Sequence, residues 1–168
     1  TLSGAQMVVQ VLADEGVDVI FGYSGGAILP AFDAVYTLNE ARQRSGGQQI
    51  PLVVPANEQG AAFMAAGYAR ASGRVGVCMV TSGPGATNTV TPVRDCMADS
   101  VPIVVICGQV PTSAIGTDAS QEAPVPALMG SKKPAKFRPI CRPISSPANS
   151  TAAKTRRTEK PSARPITI

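Results

Sequence analysis

Apolar and polar positions along the first 130 residues switch between two periods, and the switches fall at glycines. Ser3 followed by Gln6 has the spacing of a capping box, and Ala5, Val8, Val9 and Leu12 then recur at helical intervals until Gly16. This predicts an amphipathic first helix. Val17 to Tyr23 is short, apolar and β-branched, breaks into Ser24-Gly25-Gly26, and leads to a second helical stretch with Pro30 tolerable in its first turn. The order strand, glycine turn, helix then repeats. Pro51 to Val54 reads as a strand, Glu58 to Ser72 as an Ala-rich helix closed by Gly73, and Val75 to Val80 as another strand. After Thr81-Ser82-Gly83-Pro84-Gly85 the pattern predicts a helix to about Asp99, then a strand from Pro102 to Cys107. Pro92 inside that helix would cost on the order of 3 kcal/mol unless the helix bends there.

Alternating strands and helices with near-continuous apolar strands imply an α/β fold, a parallel sheet with helices on both faces. Such sheets bind ligands at the carboxyl ends of their strands, where the glycine turns of this chain fall. From Gly108 to Pro126 the chain reads as a loop punctuated by Gly and Pro, and after Gly130 periodicity disappears. Two segments result: a domain over residues 1–130, and a tail over 131–168.

Charge sharpens this division. Residues 1–130 hold five Lys+Arg, all Arg, against ten Asp+Glu, whereas residues 131–168 hold ten Lys+Arg and one Glu. The net charge of +4 therefore combines an acidic domain with a basic tail. The tail, with six Pro and five Ser, buries too little apolar area to offset its ordering entropy and is expected to be disordered. Nucleic-acid binding by its cations is disfavoured, because Phe137 is its only aromatic residue for base stacking.

Histidine is absent, which excludes a Ser-His-Asp triad, a Cys-His dyad and His-ligated zinc. Proton chemistry must fall to carboxylates, Lys, Cys or a cofactor. Cys78, Cys96, Cys107 and Cys141 form no CxxC pair and are read as reduced thiols in a reducing compartment, with no metal site. No apolar run approaches the roughly 20 residues of a membrane span, and no secretory signal opens the chain. Thr1 in place of an initiator Met suggests a processed or partial product.

Three segments carry candidate chemistry. In Gly22-Tyr23-Ser24-Gly25-Gly26 the paired glycines let a ligand approach the backbone; the alternative is a tight strand-to-helix turn. The spacing matches neither GxGxxG nor GxxxxGK[ST]. In Asn57-Glu58-Gln59-Gly60, Glu58 opens a helix, either as a capping charge or as a desolvated carboxyl that trades a proton with a heterocyclic nitrogen. Thr81 to Asn88 combines small residues with hydroxyl and amide donors suited to a polar ligand.

In this order and spacing the three segments resemble the pyrimidine-binding domain of thiamine-diphosphate enzymes. With Ala65 to Arg70, Asp99 to Pro102, Gly108 to Pro111 and Ile115 to Ala119, they are similar to the acetolactate (acetohydroxyacid) synthase catalytic subunit over about residues 3–130. The resemblance implies an enzyme that decarboxylates pyruvate and condenses it with a second 2-ketoacid in branched-chain amino-acid biosynthesis. It implies thiamine diphosphate as cofactor, Mg²⁺ held through a domain absent from this sequence, and FAD without a net redox role. Glu58 falls on the cofactor-activating glutamate and Gln121 on the glutamine near the reacting carbon. Gly25, Gly26, Ser82, Gly83, Pro84 and Asn88 fall on cofactor-binding positions, and Ala27 and Pro111 on the substrate channel. Ser24, Asn57 and Ser120 stand where the family usually has proline, histidine and phenylalanine, and Thr112 and Ser113 where basic residues are common.

The resemblance further implies a homodimer or homotetramer of the full-length subunit, a regulatory small subunit, and a cytoplasmic (bacterial) or plastid or mitochondrial (eukaryotic) location. It stops at Gly130, before the metal-binding GDG motif, so the chain is expected to be a partial or frame-disrupted reading of a longer gene and inactive alone. The competing expectation is a non-catalytic interaction module that keeps the fold and pairs with a thiamine enzyme subunit.

Overall fold

A computed structural model describes residues 1–130 and the backbone of Ile166–Thr167. The remaining residues of the predicted tail, and with them the expectation of disorder, lie outside the described residues. Elements follow in the order α1 (Gly4–Asp14), β1 (Ile20–Tyr23), α2 (Leu29–Arg44), β2 (Leu52–Val53), α3 (Glu58–Ser72), β3 (Gly76–Val80), α4 (Pro84–Thr87), α5 (Val90–Ala98), β4 (Ile103–Cys107), α6 (Val125–Met129) and β5 (Ile166–Thr167). A short 3₁₀ turn spans Thr112–Ala114.

The sheet is parallel throughout, in the order β2-β1-β3-β4-β5. Cys78 on β3 pairs with Phe21 on one side and Val105 on the other, which makes β3 a central strand, and all five of its residues are buried. Alternation then sorts the side chains. Val77, Met79 and Ile106 join Ile20 and the buried faces of α1 and α2; Cys78, Val80, Ile103 and Val105 join α3, α5 and α6. Helices thus cover both faces. A fully buried Ile20 contributes roughly 1.5–3 kcal/mol relative to exposure.

α3 packs unusually close. Its inward positions Ala61, Ala62, Ala65, Ala66 and Ala69 are all buried, and a Cβ added to Gly76 would lie 2.1 Å from the Ala65 carbonyl oxygen. Small side chains on the helix and none on the strand let the two backbones meet. At the sheet's amino end, Tyr68 donates to Asp18 at 2.6 Å, and Arg74 donates to the same carboxylate and to the Gly16 carbonyl, tying α3 to the α1–β1 connection.

Local signals place most boundaries. Ser3 and Gln6 form the full capping box of α1, and Gly73 in the left-handed region (φ 70°) ends α3. The strands are shorter than their apolar runs, because Val17 to Val19 precede the ladder. One expectation is corrected: the helix after Gly85 is not continuous to Asp99 but breaks at Asn88–Thr89. Pro92 consequently sits in the first turn of α5, where its missing N–H would have had no intrahelical partner, so the expected penalty disappears. The predicted loop to Pro126 also gives way earlier, at α6.

Candidate functional site

Strand order reverses between β1 and β3, so the chain leaves these neighbouring strands in opposite directions and opens a crevice at their carboxyl ends. Two turns line it, Ser24–Gly26 after β1 and Thr81–Gly85 after β3. Thr81, 6% exposed, stands between them. A Cβ on Gly25 would lie 2.5 Å from Thr81 Cβ, and one on Gly85 2.6 Å from Thr81 Cγ2. Both turns therefore close onto one branched side chain. Its hydroxyl oxygen is buried with no hydrogen-bond partner among the described residues.

Glu58 is the first residue of α3 and is half-buried. Capping of the helix falls to Asn57, whose side-chain oxygen accepts from the Gly60 N–H at 2.7 Å. The Glu58 carboxylate is thereby left for other contacts. Asn88, at the break between α4 and α5, donates to Glu58 Oε2 at 2.9 Å. Oε1 accepts no hydrogen bond from a described residue and lies 3.3 Å from where a Gly85 Cβ would stand. Beneath, the buried Cys78 thiol is pushed up from its ordinary range by desolvation first, then by Cys107 and the charge of Glu58.

Gly83 adopts φ 52°, and a Cβ there would lie 2.5 Å from the Gln121 carbonyl oxygen. Gln121 itself is exposed with φ 62°. A Cβ on Gly108 would lie 2.7 Å from Ala27 Cβ, so the exit of β4 touches the turn after β1. Ser82 is buried, and its carbonyl accepts from the Gly85 N–H. Pro84 opens α4 and is exposed, as is Gly26, whose Cβ direction is open space. Pro111 is exposed at the start of the 3₁₀ turn.

The structure thus gathers Gly25, Glu58, Gly83, Asn88 and the Gln121 backbone around Thr81 and Gly85. The sequence contained the Thr81–Asn88 motif but not the reason for its ends. Thr81 is a wedge between two turns, and Asn88 is the partner of a carboxylate thirty positions earlier. Only the packed sheet brings these groups together.

Comparison with known proteins bears on this crevice. The family model for the thiamine pyrophosphate enzyme, N-terminal TPP binding domain, matches residues 2–128. The chain belongs to this family. It is 54% identical over 124 residues to the mitochondrial acetolactate synthase catalytic subunit of Saccharomyces cerevisiae, covering 74% of this chain and 17% of that protein. It is 53% identical over 121 residues to the acetolactate synthase large subunit of Haemophilus influenzae, covering 72% of this chain and 20% of that one. Against the acetolactate synthase isozyme 2 large subunit of Escherichia coli the figures are 50% over 127 residues, 76% and 21%. The chain spans about a fifth of the length of these relatives.

The described residues fit the heterocyclic end of thiamine diphosphate. They offer an oriented carboxylate with one uncommitted oxygen, an adjoining amide, and an exposed Gly26 whose Cβ direction is open space, beside the turns packed on Thr81. No group of three or more His, Cys, Asp or Glu side chains able to hold an ion occurs among the described residues. No described helix is long and apolar enough to cross a membrane.

Proposed function

We propose that this chain supplies the pyrimidine-binding, proton-transferring half of an acetolactate synthase site, in which pyruvate is decarboxylated and joined to a second 2-ketoacid. The observation that carries the reading is the Glu58 carboxylate, held through Oε2 by Asn88 while Oε1 faces the bare backbone at Gly85. When bound, thiamine diphosphate supplies an electron sink for the decarboxylation. Glu58 Oε1 would hold or give a proton at a ring nitrogen of the bound cofactor, and the Asn88 bond to Oε2 would keep the carboxylate from rotating away. Gly25 and Gly85 let the two turns close on Thr81, Gly83 lets the Gln121 backbone close on them, and Gln121 borders the substrate side. Ser82 and Pro84 shape the turn, while Ala27 and Pro111 lie toward the substrate approach.

The diphosphate and Mg²⁺ would be held by a domain not contained in this sequence, and none of the roles assigned to these side chains involves FAD. Two of the relatives are named large subunits, which supports a small-subunit partner; the assembly proposed is two or four full-length subunits, with that small subunit regulatory.

The test co-expresses this chain with a full-length acetolactate synthase subunit whose corresponding glutamate is glutamine, and follows hydrogen–deuterium exchange at C2 of thiamine diphosphate by quenched NMR. This chain is expected to restore exchange, and Glu58→Gln to lower the restored rate by about 100-fold, the low end for a positioned acid–base group. Exchange that stays at the defective background, or that ignores Glu58→Gln, overturns the reading.

A further inference from the structure

The segment from Gly116 to Gln121 holds three left-handed backbones, Gly116 (φ 83°), Asp118 (φ 55°) and Gln121 (φ 62°), two of them on residues with side chains. Such backbones persist only where surrounding contacts over-determine them. The contacts here converge on one side chain. Glu122 Oε1 accepts from the Gly116 N–H, Oε2 accepts from the Ala119 N–H at 3.4 Å, and the Glu122 N–H donates to the Ala119 carbonyl at 2.9 Å. The Thr117 hydroxyl donates to the Ala114 carbonyl at 2.7 Å, closing the turn before it. Glu122 is half-buried while most of the loop around it is exposed. The loop it ties ends on the Gln121 carbonyl, against the Gly83 bend of the crevice.

The geometry points to Glu122 as a positioning residue: its carboxylate clamps residues 116–122 into the one shape that seats Gln121 against Gly83. Glu122 touches no reacting atom and acts through Gln121; its role in the reaction rests on the function proposed above. A carboxylate suits the task because each oxygen accepts from a different backbone N–H, closely from Gly116 and at 3.4 Å from Ala119. Glutamine puts an amide nitrogen, which only donates, where one carboxylate oxygen stood, so the N–H that oxygen served loses its acceptor.

Two measurements test this. In the full chain, amide exchange read by NMR is expected to speed up at Gly116 and Ala119 in Glu122→Ala by about tenfold, the loss of one charge-assisted hydrogen bond each. Glu122→Gln, which keeps size and fold, is expected to release one of the two amides and spare the other. In the co-expressed assembly, Glu122→Ala is expected to lower acetolactate formation while C2 exchange stays at the unsubstituted rate. The double variant with Gln121→Ala is expected to be no slower than Gln121→Ala alone, since one residue acts through the other. Unchanged amide exchange in Glu122→Ala, or additive losses in the double variant, overturns the clamp. An assembly whose C2 exchange ignores Glu58 overturns the proposed function instead, and the amide measurement still decides whether Glu122 ties the loop.

Discussion

Thr81 concentrates the local physics of the crevice in one side chain. Its hydroxyl is buried without a partner, and such a group costs about 1–3 kcal/mol, so Thr81→Val is expected to leave the fold as stable or raise its stability by about 1 kcal/mol in urea titration. Its bulk has the opposite effect on its neighbours. Gly25→Ala and Gly85→Ala would each drive a methyl to within 2.7 Å of Thr81 and are expected to destabilise by about 1–3 kcal/mol, with partial recovery when Thr81→Gly is added. Independent effects that fail to recover would show that the turns do not meet on Thr81. The Glu58 carboxylate shows the same dependence on neighbours, since Asn57 takes the capping role and Asn88 fixes one oxygen.

Among the elements, α3 is the one most sharply specified. Asn57→Ala removes its cap and is expected to cost about 1 kcal/mol. Gly76→Ala is a harsher test, because the new methyl meets the Ala65 backbone; a loss of about 3 kcal/mol or failure to fold is expected, and a neutral result would contradict the close packing of α3 on β3. Both ends of this helix are placed correctly from the sequence, at Glu58 and Gly73, but the cap at its start is Asn57 and not the Glu58 charge to which the sequence points. The break between α4 and α5 is not legible in the sequence, because it coincides with Asn88 donating to Glu58, thirty positions away in sequence on the same face of the sheet, and residues near the break have acceptable helical patterning. The candidate site divides the same way. Glu58, Gly25, Gly83 and Asn88 can be read from the sequence because their motifs are local and recognisable, whereas Thr81 as a wedge and Glu122 as a clamp follow only from contacts that no spacing encodes. α6 has five residues, too few to show a period.

At the scale of the molecule, the packing of α5 on the sheet buries two thiols along with the core. Cys78 and Cys96 are buried and free, and desolvation is the first cause raising both, with the field of Arg70 opposing it at Cys96. A raised folded-state value means that the native chain keeps its protons while the unfolded chain, with thiols near pKa 8.5, releases them. Stability is therefore expected to be full below about pH 8.5 and to fall as pH rises further, a decline that Cys78→Ala should flatten in urea titrations run across that range. Alkylation at pH 8 is expected to spare both thiols in the native protein and to reach them on unfolding. A flat pH response would remove the assigned burial of ionisable sulfur.

The reversal of strand order between β1 and β3 also bears on when this crevice comes into existence. Its pieces are made far apart in time, the first near residue 25 and the last near residue 121. A growing polypeptide on the ribosome holds glutamate and glycine bends long before it holds a place for a vitamin to dock. A ligand that binds only the joined segments is expected to stabilise the completed domain and not its isolated pieces.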